Sequence, residues 1–167
     1  MSYEILGSTG KYWTCHQCDW GDYLDVAVAF GWEPAGAFFK CDEGGHGEHP
    51  SGSYFGNSFQ IVTDGDARAM AAALNRAVAA INAGSPMTDN QALVLKEFEI
   101  SDGEPPWKDL RLTEKQRAVL LACKAEYLAE HPREVRTIRS HHGTFDIDIR
   151  RVMDLADVAS AGSFTIA

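Results

Sequence analysis

Residues 60–84 read QIVTDGDARAMAAALNRAVAAINAG, and they hold the signal that decides the fold. Gln60-Ile61-Val62 is β-branched and short, which suits a strand. Thr63 then precedes Asp66 by three residues, the spacing of a capping box with Asp in place of Glu. Behind it Ala67, Met70, Ala71, Leu74, Val78 and Ile81 recur at helical spacing. Alanine dominates the remainder, which favours helix and permits close approach of a neighbour. Gly84 and Pro86 stop the run. A strand delivered straight into a long amphipathic helix is the germ of an α+β domain.

Working outward, Tyr54-Phe55 is expected to pair with Gln60-Ile61-Val62 across a turn at Gly56-Asn57. A helix is expected over 22–30, where Tyr23, Val26, Ala27 and Phe30 share a face and Gly31 is a stop. Residues 1–20 read as irregular, with a short strand near Tyr3–Leu6. Gln91 to Phe98 forms a weaker helix. Thr113 and Gln116 make a second capping box, and the helix behind it, to about Ala129, is expected to bury Val119, Leu120, Cys123 and Tyr127. A last helix lies at 152–159, and Phe164-Thr165-Ile166 is a terminal strand pairing with the hairpin. The expectation is one α+β domain over 1–167, mainly helical, with a small antiparallel sheet. Residues 1–60 form a Cys/His/Trp-rich acidic region and 61–167 the helical core region. The helices at 22–30, 64–82 and 113–129 carry the core.

The N-terminal region also holds Cys15-His16-Gln17-Cys18, then Cys41, His46 and His49. Two cysteines separated by two residues can grip one metal ion through adjacent thiolates. Cys15, Cys18 and Cys41 with His46 or His49 would complete a tetrahedral zinc site, pinning the N-terminal loop region. The other reading is ordinary thiols beside a polar loop. If zinc binds, a closed structural site is the first expectation. A catalytic site would need an open position, with Glu43 or Glu48 serving a bound water. A thioredoxin-like redox pair is disfavoured, because no clear strand precedes Cys15 and no clear helix opens at Cys18. Cys123 reads as core packing. His141-His142-Gly143 reads as a solvated loop in the basic stretch 133–151.

Net charge is −9 over 167 residues. Residues 1–60 carry eight acids and two bases, and residues 61–167 carry sixteen acids and thirteen bases. Such a balance repels nucleic acid phosphates and suits a basic protein partner. The stretch Ala67–Ile81 contains Arg68, Asn75 and Arg76 and is too polar for a membrane span. Met1-Ser2-Tyr3-Glu4 lacks the features of a secretory signal, so the expected compartment is the cytoplasm, where thiols stay reduced. No P-loop, dinucleotide fingerprint or nucleophile elbow occurs, and no catalytic residue is nominated.

Several segments, taken in order, carry a resemblance. They are Gly31-Trp32-Glu33-Pro34-Ala35-Gly36, Tyr54-Phe55-Gly56-Asn57, Gln60-Ile61-Val62-Thr63, Asp66-Ala67 with its helix, and Gly162-Ser163-Phe164-Thr165-Ile166. This order resembles a group of small, little-characterised bacterial proteins. They share a Gly-Trp-x-Pro-x-Gly loop, a Tyr-x-x-Asn…Gln turn, an Asp-Ala helix and a Gly-x-Phe-x-Ile-like tail. Ser58-Phe59 departs from the more polar approach to the Gln, and the Cys/His cluster is outside the pattern. The resemblance implies an accessory, antitoxin-like or immunity-type role, and no catalytic residue is carried over from it. The leading expectation is therefore a non-enzymatic protein that neutralises a partner through an acidic face of Asp19, Asp22, Asp25, Glu33, Asp42, Glu43 and Glu48. The alternatives are a small zinc-dependent hydrolase and a structural zinc-binding module, both on the Cys/His cluster.

Overall fold

The computed structural model describes residues 2–40, 46–50, 54–55, 59–100 and 112–167, with backbone alone for 39–40 and 46–50. The chain forms β1 (Ser2–Gly7), β2 (Tyr12–His16), α1 (Gln17–Ala29), β3 (Phe38–Lys40), β4 (His46–Pro50), β5 (Gln60–Val62) and α2 (Asp64–Ala83). There follow α3 (Asp89–Lys96), α4 (Glu114–Glu130), β6 (Val135–Ser140), β7 (Gly143–Asp148), α5 (Arg150–Ser160) and β8 (Phe164–Ile166). The expected α+β class holds, with five helices and a small antiparallel sheet among the described residues.

Six strands pair in the order β2-β1-β8-β5-β3-β4, and β6 and β7 form a separate hairpin. All pairings are antiparallel. β8 lies between β1 and β5, with Ile5 opposite Ile166 and Val62 opposite Phe164. Alternation sets the inner face. Tyr3 and Ile5, Trp13 and Cys15, Gln60 and Val62, Phe164 and Ile166 point inward. The expected hairpin of Tyr54-Phe55 with Gln60–Val62 does not form. β5 pairs instead with β3 and β8, and Tyr54 sits in a bend, with side-chain hydrogen bonds to other elements.

The first twenty residues are not irregular. The expected strand near Tyr3–Leu6 is β1, and beyond it the chain forms β2 and the opening of α1, packed by aromatic contact. The Trp13 ring meets Tyr23 edge-on at 4.9 Å, and Trp20 lies 6.0 Å from Tyr3. The N-terminal region therefore has a core of its own making, continuous with that of the rest of the chain. α1 begins five residues earlier than the sequence suggests. It ends as expected, with Gly31 at φ 92°. The Trp32 N–H bonds the Ala27 carbonyl and the Gly31 N–H bonds Val28, the closure of a Schellman motif.

α2 runs from the Thr63 cap to Gly84, which is left-handed at φ 61°. It buries Ala67, Met70, Ala71, Ala73, Leu74, Ala77 and Ile81. The small residues let α5 and α1 approach, and α5 presents Val152, Leu155, Ala156 and Ala159 in return. α5, not α4, is the third core helix. The expected burial of Val119, Leu120, Cys123 and Tyr127 on α4 does not occur. No residue of α4 is buried, and Val119, Leu121 and Tyr127 are each more than half exposed. Its caps do form, with Thr113 and Gln116 bonded reciprocally. Propensity and capping specify this helix, and its apolar side is covered only in part, with Leu120 and Leu128 half-buried. The β6–β7 hairpin buries Ile138, Phe145 and Ile147 and packs against α2 and α3.

Candidate functional site

The Cys/His residues are dispersed. Cys15 is on β2 with 3% of its surface exposed, and Cys18 is exposed in the first turn of α1. His46 and His49 belong to β4, with side chains outside the described residues, and Cys41 lies outside them altogether. β2 and β4 are the two opposite edges of the sheet, so the backbone does not bring the two halves of the motif onto neighbouring strands. Among the described residues no three His, Cys, Asp or Glu side chains gather as a metal site. Burial pushes the Cys15 thiol up to about 12, with a lowering influence from Arg151. Without a metal beside it, such a sulfur is a poor nucleophile at neutral pH. One sequence expectation is corrected here. Cys15-His16-Gln17-Cys18 does span a strand end and a helix start, because β2 stops at His16 and α1 opens at Gln17. Cys123 is exposed, so its expected core role is also corrected.

The resembling segments converge on one carboxylate that the sequence reading took for a cap. Asp66 lies in the first turn of α2, and its amide is 3.4 Å from Thr63 Oγ1, half of a capping box. The other half is missing, because the Asp66 carboxylate turns inward. Its Oδ1 accepts from Trp32 Nε1 at 2.9 Å and from the Ala35 N–H at 3.2 Å. Its Oδ2 accepts from the Tyr54 hydroxyl at 2.5 Å, and that hydroxyl accepts from the Gly36 N–H at 2.8 Å. Burial, then the bond to Asp66, raises the Tyr54 pKa. Trp32 and Tyr54 also meet edge-on at 5.0 Å. The Gly-Trp-x-Pro-x-Gly loop, the Tyr54 bend and the start of α2 are thus tied to a single buried side chain. A carboxylate with three donors already on it is a clamp rather than a free base. Nearby, Arg76 donates to the Phe30 and Gly31 carbonyls at 2.8 and 3.2 Å, and Gln91 donates to Ala29 at 3.2 Å. Together they fix the end of α1 against α2 and α3.

The acidic face predicted from sequence is present in part. Asp19, Asp22 and Asp25 follow one another along α1, and Glu97 at the end of α3 joins them. Burial raises the Asp22 pKa, and Glu97, Asp19 and Asp25 raise it further by repulsion. Asp22, Asp25 and Glu97 line a shallow depression of about 180 Å³ whose apolar part is Leu93 and Val94. Leu93 is half exposed. Glu33 is exposed on the clamped loop beyond the C-terminus of α1. Asp42, Glu43 and the Glu48 side chain lie outside the described residues. Glu97 escaped the sequence reading because only the packing of α3 on α1 brings it close.

A larger groove of about 730 Å³ lies on the edge of β2, between α5 and the C-terminal half of α4. Among the described residues no helix is long and apolar enough to cross a membrane. Comparison with protein-family models, curated proteins and solved structures finds no match.

Proposed function

We propose that this chain is a non-enzymatic, cytoplasmic protein of the immunity or antitoxin-like kind, which binds a basic protein partner through the α1–α3 face. The observation that supports this most is the set of like charges around Asp22. Four carboxylates share one patch, and burial, then repulsion from Glu97, Asp19 and Asp25, makes ionisation of Asp22 costly. A partner's Lys or Arg side chains would relieve that cost, and charge complementarity would speed their encounter. Leu93 supplies exposed apolar surface beside the charges, as the centre of an interface needs. Gln91 serves this reading, because its bond to the Ala29 carbonyl ties α3 to the end of α1.

The test is affinity capture from the native host with folded bait, followed by reconstitution with the identified partner. The expected result is a basic protein forming a stable complex, weakened at least tenfold by the double substitution Asp22→Lys, Asp25→Lys. Capture that survives this charge reversal, or a folded bait that retains no partner, would sink the proposal.

A further inference from the structure

The groove beside β2 is a second surface, with the opposite electrostatic character. Among the described residues β2 is an edge strand, paired on one side only, with β1. The Lys11 carbonyl points toward β1, where it accepts from the Gly7 N–H at 2.8 Å. Alternation then turns the peptide groups of Tyr12 and Thr14 away from β1 and into the groove. The Thr14 carbonyl confirms this, because it accepts from the Arg151 guanidinium at 2.9 Å. That guanidinium also lies 5.7 Å from the centre of the Trp13 ring. Arg151 therefore stands where a paired strand would place an N–H donor.

The charges in the groove are unequally spent. Lys11 is paired with Asp157 at 2.6 Å and Arg150 with Asp154 at 3.1 Å. Asp148 is engaged by the backbone N–H groups of Glu134 and Arg150. Arg151 faces a carbonyl and rings, while Lys124 and Arg133 hold no ion pair among the described residues. Against these three cations stand Glu130 and Asp148, which keeps its charge although backbone N–H groups hold it, so the lining carries five cations and four anions. On a chain of net charge −9 the groove lining is one charge positive, with its unpaired cations at Arg151, Lys124 and Arg133. From Arg151 to Asp157 α5 runs about 9 Å, the length of about three strand residues. The side chains of Tyr12 and Tyr127, each more than half exposed, are available to cover a bound chain.

We propose that this groove docks an extended, acidic peptide segment of a partner protein, which adds to the β2 edge while its carboxylates meet Arg151, Lys124 and Arg133. Main-chain pairing with Tyr12 and Thr14 supplies register, and the cations select the sign of the side chains. On docking, Arg151 gives up the Thr14 carbonyl to the incoming N–H and turns to a carboxylate. Until then it guards an edge that would otherwise invite self-association.

The test is an NMR titration of the whole protein with a capped peptide Val-Glu-Thr-Asp-Val-Glu, beside its counterpart with lysine at each acidic position. The expected result is saturable shifts at the Tyr12 and Thr14 amides with the acidic peptide alone. The double substitution Lys124→Glu, Arg133→Glu should weaken this about five- to tenfold, as two screened ion pairs predict. Asp22→Lys, on the other face, should leave it unchanged, which separates this test from that of the α1–α3 surface. Three results would overturn the proposal: no saturable shift with several millimolar peptide, equal binding of the lysine peptide, or equal binding of free glutamate without amide shifts on β2. A concentration-dependent dimer using the same amides, seen without peptide, would assign the edge to a second copy of the chain and overturn it as well.

Discussion

Replacing Asp66 by alanine tests whether one carboxylate organises the loop, the bend and the helix. The change strands three donors: Trp32 Nε1, the Ala35 N–H and the Tyr54 hydroxyl. A buried donor left without a partner costs about 1–3 kcal/mol. Trp32 and Tyr54 are buried, at 2% and 4% exposure, and bear the full penalty. Ala35 is more accessible and regains part of its loss from water. The sum is about 3–6 kcal/mol, a large share of the roughly 5–15 kcal/mol that holds a domain together. For a chain of this size Tm should fall by about 8–20 °C. Tyr54→Phe strands only the Gly36 N–H and one carboxylate oxygen, and should cost about 2 kcal/mol. The two changes remove one bond in common, so the double variant should lose less than the sum. Urea unfolding followed by tryptophan fluorescence measures all three. A loss below about 1 kcal/mol for Asp66→Ala at unchanged m-value would refute the clamp.

Three further outcomes are expected. Gly162 sits at φ 120°, where an added Cβ would collide with the Asp64 carboxylate. Gly162→Ala should cost about 2 kcal/mol, mainly through the backbone angle because the exposed Asp64 side chain can move aside, and equal stability would refute the strained conformation. Asp22 has a folded-state pKa above its unfolded value, so its ionisation weakens the fold as pH rises from the unfolded value through the folded one. Asp22→Asn should therefore stabilise the protein at pH 7, by about 0.5 kcal/mol once solvent screening is allowed for, and the gain should fade near pH 3. A gain that persists at pH 3 would point to a cause other than charge. In a background with Cys18, Cys41 and Cys123 all replaced by serine, Cys15 should resist thiol reagents until the protein is unfolded, because its sulfur is buried. Prompt labelling of the folded protein would contradict that placement.

α2 was legible because its cap, periodicity and stop all agree over twenty residues. The C-terminal strand and the α1 stop at Gly31 were legible for similar local reasons. β3 has three residues and holds its place by pairing with β4 and β5, so no local pattern announces it. In β6 and β7 the alternation was present, with Ile138, Phe145 and Ile147 inward, but the arginines drew attention to charge instead. α4 failed in the opposite sense. Its periodicity describes one apolar side, and periodicity does not say what lies against it. Asp66 was misread because three-residue spacing from Thr63 is a local signal, whereas its true partners are 12 to 34 residues away. Of the acidic face, the α1 carboxylates were visible in sequence. Glu97 was not, since it joins them only through tertiary packing.

The position of β8 bears on how the protein is made. β1 with β2 forms one half of the large sheet, and β5 with β3 and β4 forms the other. Residues 164–166 join the two halves. A chain growing from its N-terminus makes every other strand first. Until Phe164, Thr165 and Ile166 have left the ribosome, β1 and β5 each lack a neighbour, and each is a template for the wrong strand. Closure of the sheet thus waits for β8, and the interval before it leaves two strand edges open on the nascent chain.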